Sequence, residues 1–304
     1  MTGGSTMLEV KGLNKTFGSM VAVHDENFKL SEGEILGLIG QNGAGKTTTF
    51  RMILDLLKPD SGEVLWDGKP FTQNKHDIVG FLPEERGLYL KMTIEQQVVY
   101  FAELRGQKPA VTKQKLDSWM EKFDVKGKKN DKIKDLSKGN QQKVQLIATL
   151  IHDPKFVILD EPFSGLDPVN ASLLEQGIED MRSNGSVIIY SSHDMGNVEK
   201  ISDRLLMLRN GETVLNGPTE SIRDSFGDTR IILQSPLTKE ELLLIDGVES
   251  VEVHGPRLEI SLRDGEVGKE VFARATKNGY IKQFDQQPPT LDEIFRMKVG
   301  ENNE

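Results

Sequence analysis

The sequence predicts an α/β fold of mostly parallel strands, followed by a small α+β domain. Three observations carry this. Short apolar runs at 34–39, 156–159 and 186–190 alternate with helical patterns and turns, and strand–helix–strand at that spacing implies a parallel sheet with right-handed crossovers. A glycine-rich segment, 40–47, joins the first run directly to a helical pattern. Beyond residue 225 the pattern becomes β-α-β-β-α-β, the ferredoxin-like arrangement.

The elements follow in order. Residues 8–11 and 27–30 alternate, with Gly18-Ser19 between them as turn chemistry, so the chain opens with short N-terminal strands. The compact run 34–39 reads as a buried strand. Residues 48–57 have helical spacing and stop before Lys58-Pro59-Asp60-Ser61-Gly62. From 91 to 150 the chain is polar and helical in pattern, which predicts a helical subdomain at about 88–152 inserted into a sheet domain of residues 1–225. In the second domain, 226–304, strands are expected at 229–234, 248–254, 257–262 and 281–286. Helices are expected there at 238–245, 266–277 and 291–299.

Composition bounds the function. The 304 residues carry 38 basic and 47 acidic side chains, a net charge of −9. That argues against nucleic-acid binding through general basicity, because phosphate neutralisation needs a local surplus of Lys and Arg. Hydrophobic residues at 37% suffice for a core. No apolar run approaches the ~18 residues of a membrane span, and the first seven residues lack a basic-then-apolar leader. With no cysteine, disulfides, thiolate metal sites and thiol catalysis are excluded.

Chemistry concentrates in three places. Gly40-x4-Gly45-Lys46-Thr47 lies after an apolar strand and before a helix, the context in which glycines let backbone N–H groups curl around phosphates. Lys46 would reach the β- and γ-phosphates, and Thr47 would ligate Mg²⁺. The run 156–159 ends on Asp160-Glu161. Asp160 is placed to hold a metal's hydration shell, and Glu161 to face an attacking water. Ser137 and Gly139 open a helical stretch, which reads either as an ordinary N-cap or as a second anion site.

Together these motifs resemble the ATP-binding subunit of an ABC transporter over residues 8 to about 220. Leu136-Ser137-Lys138-Gly139-Asn140 is similar to the signature that usually reads Leu-Ser-Gly-Gly-Gln. Asp160-Glu161-Pro162, Ser164-Gly-Leu-Asp167 and Ser192-His193 match the motifs that follow it in the family. The resemblance implies a phosphate-loop nucleotide-binding domain that binds ATP and Mg²⁺. Gly40, Gln41, Asn42, Gly43, Ala44, Gly45, Lys46, Thr47 and Thr48 would cradle the phosphates, and Phe17 would stack on adenine. Thr47, Asp160 and Glu84 would hold the metal; Glu161, His193 and Lys46 would be catalytic. It also implies a homodimer closing head to tail on ATP, with Ser137 and Gly139 reaching the γ-phosphate across the interface.

Three positions depart from the family pattern. Glu84 stands where a glutamine is usual and adds a negative charge beside three phosphates. Lys138 and Asn140 replace the usual Gly and Gln. Glu84-Glu85-Arg86-Gly87-Leu88-Tyr89 and the tail 288–295 are similar to the subgroup of sodium-extrusion subunits and related exporters, which also has an extra C-terminal domain. A separate transmembrane permease, docking near Glu84 and 86–105, is then implied, with the chain on the cytoplasmic face of the membrane. A soluble ABC-type ATPase acting on ribosomes or nucleic acid is the alternative; relatives of that kind carry paired cassettes, long coiled coils or basic tails. A third reading is a nucleotide-gated switch with negligible turnover. His24, His76, His152 and His254 have no identifiable partners and read as core or surface residues.

Overall fold

The computed structural model describes residues 6–72, 77–85, 87–277 and 279–300. The leader reading at 1–5, His76 and Arg86 lie outside these residues. The described chain divides into two compact units, 1–216 and 217–304. The division falls ahead of the boundary expected after 225, because α7 (Thr219–Asp224) joins the second unit.

The first unit opens with a long hairpin, β1 (Thr6–Phe17) and β2 (Met20–Ser31). Both strands extend well beyond the stretches expected from alternation. Register shifts between Val10 and Leu13 and between Leu13 and Lys15 mark bulges, with Gly12 and Asp25 at positive φ. A bulge breaks the two-residue period on which a strand reading depends. β4 (Ser61–Trp66) pairs antiparallel with β1, and β5 (Lys69–Pro70) with β4.

The parallel core consists of β3 (Ile35–Ile39), β6 (Val79–Leu82), β7 (Phe156–Leu159), β8 (Val187–Ser191) and β9 (Arg204–Arg209). With β10 (Glu212–Pro218), the ten strands run β5-β4-β1-β2-β10-β9-β3-β8-β7-β6. β3, β7 and β8 are buried at every position, which explains their continuous apolar runs. Phe50, Trp66, Phe71, Phe156 and Ile158 pack in one core cluster, and the Trp66, Phe71 and Phe156 rings meet at 5.6–6.2 Å.

Helix α1 (Lys46–Ile53) starts within the glycine-rich loop and stops earlier than its spacing suggests. Asp55 takes a left-handed φ of 55°, and the Leu56 N–H donates to the Arg51 carbonyl at 2.8 Å. This is a Schellman-type stop with Asp in place of the usual Gly. The inserted region holds α2 (Ile94–Leu104), α3 (Pro109–Lys122) and α4 (Lys138–Leu150). A Thr93/Gln96 capping box opens α2, and Ser137 caps α4. α5 (Pro168–Ser183) and α6 (Met195–Ile201) complete the crossovers.

In the second unit, β11 (Arg230–Gln234), α8 (Lys239–Leu243), β12 (Val248–His254), β13 (Arg257–Leu262), α9 (Val267–Thr276) and β14 (Gln283–Gln287) follow in the expected order, then α10 (Leu291–Gly300). The antiparallel sheet runs β12-β13-β11-β14 over its own core of Ile231, Leu233, Ile260 and Val271.

Candidate active site

Adjacency in the sheet assembles the site. β3, β8, β7 and β6 are neighbours and parallel, so their C-terminal ends open at one edge, where α/β folds bind ligands. Gly40–Thr47 leaves β3, Pro83-Glu84 leaves β6, Asp160-Glu161 leaves β7 and Ser192-His193 leaves β8.

Within the loop, Gly40, Gly43 and Gly45 have positive φ of 155°, 82° and 117°. A Cβ at Gly40 would lie 2.5 Å from the Leu208 carbonyl, and one at Gly45 would lie 2.5 Å from that of Ala22. Only glycine fits there. Gln41, Asn42, Gly43 and Thr47 are exposed, Thr48 is half-buried, and Ala44, Gly45 and Lys46 are buried. The Lys46 ammonium donates to the carbonyls of Gly40 (2.6 Å) and Gln41 (3.3 Å). Burial lowers its pKa, and the charges of Glu161, Asp160 and Glu84 oppose that shift. Gly45, at the N-cap of α1, offers no capping side chain, so the helix presents bare N–H groups to an anion.

Asp160 is buried and accepts a hydrogen bond from Ser191 Oγ at 2.7 Å on Oδ1; its Oδ2 carries no hydrogen bond among the described residues. Burial raises the pKa of Glu161, against the charges of His193 and Lys46. His193 Nε2 lies 3.1 Å from Glu161 Oε1. Glu161, Ser164, Ser192 and His193 line an open cleft of about 530 Å³.

Phe17 ends β1 and is 45% exposed, with the Lys15 ammonium 5.6 Å from its ring centre. Ser137 and Gly139 sit on the helical region, not at the sheet edge. Ser137 Oγ accepts from Asn140 Nδ2 (2.9 Å) and the Asn140 N–H (3.3 Å), which leaves its own hydrogen free to donate. Both the cap reading and the anion-site reading are compatible with this arrangement.

The structure adds residues that no motif revealed. Glu26 is fully buried under α1, where Thr49 Oγ1 donates to its Oε2 at 2.6 Å; Oε1 has no partner among the described residues. Its only trace in the sequence is a charge amid alternating strand residues. His152 is a correction: it has a partner, its Nε2 bonding the Val79 carbonyl at 3.0 Å. Burial, partly offset by that bond, pushes its pKa down to about 4, so the ring stays neutral. It lines a cleft of about 220 Å³ with Phe81, Leu88, Gln97, Phe101 and Arg105. His254 Nε2 lies 3.4 Å from Glu252 Oε2, and the backbone N–H of His24 donates to the Gly211 carbonyl.

The donor set suits nucleotide and Mg²⁺. Thr47 is exposed with no side-chain hydrogen bond among the described residues. Among the described residues, no group of three or more His, Cys, Asp or Glu is arranged to hold a metal by itself. Mg²⁺ is usually bound through one or two carboxylates, with substrate phosphates and water completing its shell. Among the described residues, no helix is long and apolar enough to cross a membrane.

Comparison with known proteins gives the same picture. The ABC transporter family model matches residues 23–164, and the model for the C-terminal domain of DrrA1-3-like ATP-binding proteins matches 217–299. The ABC transporter ATP-binding protein YhaQ of Bacillus subtilis is 39% identical, with 97% of this chain and 99% of its own length aligned. The linearmycin resistance ATP-binding protein LnrL of the same organism is 28% identical, over 97% of this chain and 98% of its own. A solved ATP-binding subunit of an ABC transporter superposes with a TM-score of 0.68 at 29% identity, covering 73% of this chain and 93% of the other.

Proposed function

The chain belongs to the ABC transporter ATP-binding proteins, and from that premise we propose that it hydrolyses ATP to drive export through a separate membrane permease. The observation that carries the assignment of the site is the convergence of Lys46, Asp160, Glu161 and His193 at the edge formed by β3, β7 and β8. Lys46 and the bare N–H groups of α1 hold the phosphates. Thr47 and Asp160, with Glu84 as a third candidate, would hold Mg²⁺, and the ion would supply neutralisation of charge on the phosphate oxygens. Glu161 orients the attacking water and accepts its proton as the bond from the γ-phosphorus to the bridging oxygen breaks. His193, beside Glu161, steadies the γ-phosphate.

The second face of the nucleotide belongs to another copy of the chain, through Ser137 and Gly139. Ser137's free hydroxyl hydrogen supports this reading. The permease docks in the cleft around Phe81, Leu88 and Phe101, which continues to exposed Leu56 and Leu104; exposed apolar surface of this kind marks an interaction site. Docking there places the chain on the cytoplasmic face of the membrane. Export is supported by the likeness to Nod factor export ATP-binding protein I of Rhizobium etli, 27% identical over 98% of this chain. No observation favours the ribosome or nucleic-acid reading.

The test is Glu161→Gln. ATP binding should persist and the dimer accumulate, while hydrolysis falls at least about a hundredfold, the scale of lost general-base catalysis. Hydrolysis at the parental rate would remove Glu161 from its role.

A further inference from the structure

We propose that Ser191 is a positioning residue that sets the metal-binding carboxylate and the water-facing glutamate in one fixed relation. The inference rests on the roles given above to Asp160 and Glu161.

Ser191 is the last residue of β8 and is fully buried. Leu159 pairs with Tyr190 across the ladder, so Ser191 stands opposite Asp160. Its single hydroxyl makes two bonds of opposite sense. It donates to Asp160 Oδ1 at 2.7 Å and accepts the Glu161 N–H at 2.9 Å. The hydroxyl's one hydrogen is committed to Oδ1 of the carboxylate, which fixes Asp160 and leaves Oδ2 without a hydrogen bond among the described residues.

Glu161 also needs an anchor. Seven described non-glycine residues have positive φ, and six of them are Asp or Asn, the types that tolerate this conformation. Glu161, at 51°, is the seventh. Its N–H is held by Ser191, its carbonyl accepts the Ser164 N–H at 3.1 Å, and the preceding Asp160 N–H donates to Leu82 O at 2.8 Å. The turn that aims the glutamate is therefore tied to the hydroxyl that aims the aspartate. His193 follows two residues later, so one strand end sets all three groups.

Ser191→Thr and Ser191→Val test this as a pair. The two side chains have nearly the same shape and differ in the hydroxyl, so any cost of the added methyl is common to both. A fluorescent ATP analogue is titrated in EDTA and at graded Mg²⁺, with steady-state kinetics and melting temperature alongside. In the Val variant, the Mg²⁺ needed for half-maximal binding should rise about tenfold or more relative to Thr, and kcat should fall about tenfold or more, the range seen for partners that orient metal ligands. KM and binding in EDTA should differ by less than about threefold. Equal Mg²⁺ requirement and kcat in the two variants would overturn the proposal. So would an equal loss of binding with and without Mg²⁺, which would mark a general packing role. Asp160→Asn and Glu161→Gln run as controls. If they leave Mg²⁺ dependence and hydrolysis intact, the site reading itself fails; if they respond and the Thr/Val pair does not, only the role of Ser191 fails.

Discussion

Lys46 is held on two backbone carbonyls, 2.6 and 3.3 Å away, within reach of three acidic side chains. It is the buried cation of the phosphate loop, and Lys46→Ala should weaken ATP binding by at least about tenfold, since a charge-assisted hydrogen bond contributes about 1.5–3 kcal/mol; titration with a fluorescent ATP analogue measures it. Glu26 gives the clearest pH effect. Burial, with the Thr49 hydrogen bond opposing, pushes its pKa from 4.5 up to about 7. Below about pH 4.5 the carboxyl is protonated in both folded and unfolded chains. Between about 4.5 and 7 only the unfolded chain gives up the proton, so this group makes stability fall as pH rises. The total is about 3 kcal/mol, and above pH 7 the effect is constant. Glu26→Gln keeps an acceptor for Thr49 and cannot ionise. Its melting temperature should exceed the parent's at pH 8 and match it near pH 4.5. The motif residues were legible one by one, because their chemistry is written in residue type and spacing. Ser191 and Glu26 were not, because what sets them apart is a neighbour distant in the chain.

At the scale of elements, the phosphate loop is a strand end, three positive-φ glycines and a helix start. Gly45→Ala forces a Cβ to within 2.5 Å of Ala22 O at φ 117°, a strain of about 1–3 kcal/mol. The variant should melt several degrees lower and lose nucleotide affinity, as calorimetry and binding titration will show; unchanged values would mean the loop can move aside. The C-terminal strands at 248–254 and 257–262 have the bounds that the sequence predicts, because a two-residue turn at Gly255-Pro256 separates them and the second alternates cleanly, although a register shift between Val248 and Ser250 irregularises the first. β1 and β2 exceed the stretches their alternation predicts because bulges interrupt it, and α1 is shorter than its spacing predicts because its stop uses Asp55, a residue with no conspicuous breaker chemistry.

The whole molecule is two compact units, each with its own buried core. A chain ended after Pro218 keeps β10 and every element of the active site, and it should still bind ATP in the same titration; loss of binding would show that 219–304 support the site. The sequence by itself determined the fold class, the order of the main elements and the loop at 40–47, and residue type and spacing singled out Lys46, Asp160 and Glu161 as candidates; His193 came from the family resemblance. Local chemistry suffices for the former, because propensity, periodicity and motif spacing act over a few residues. Tertiary structure alone decided that β3, β8 and β7 are neighbours, with β8 entering between two strands that precede it in the chain. That insertion sets Ser191 against Asp160 and His193 against Glu161. Strand order arises from packing and crossover connections between segments far apart in sequence, and no short stretch of the chain encodes it.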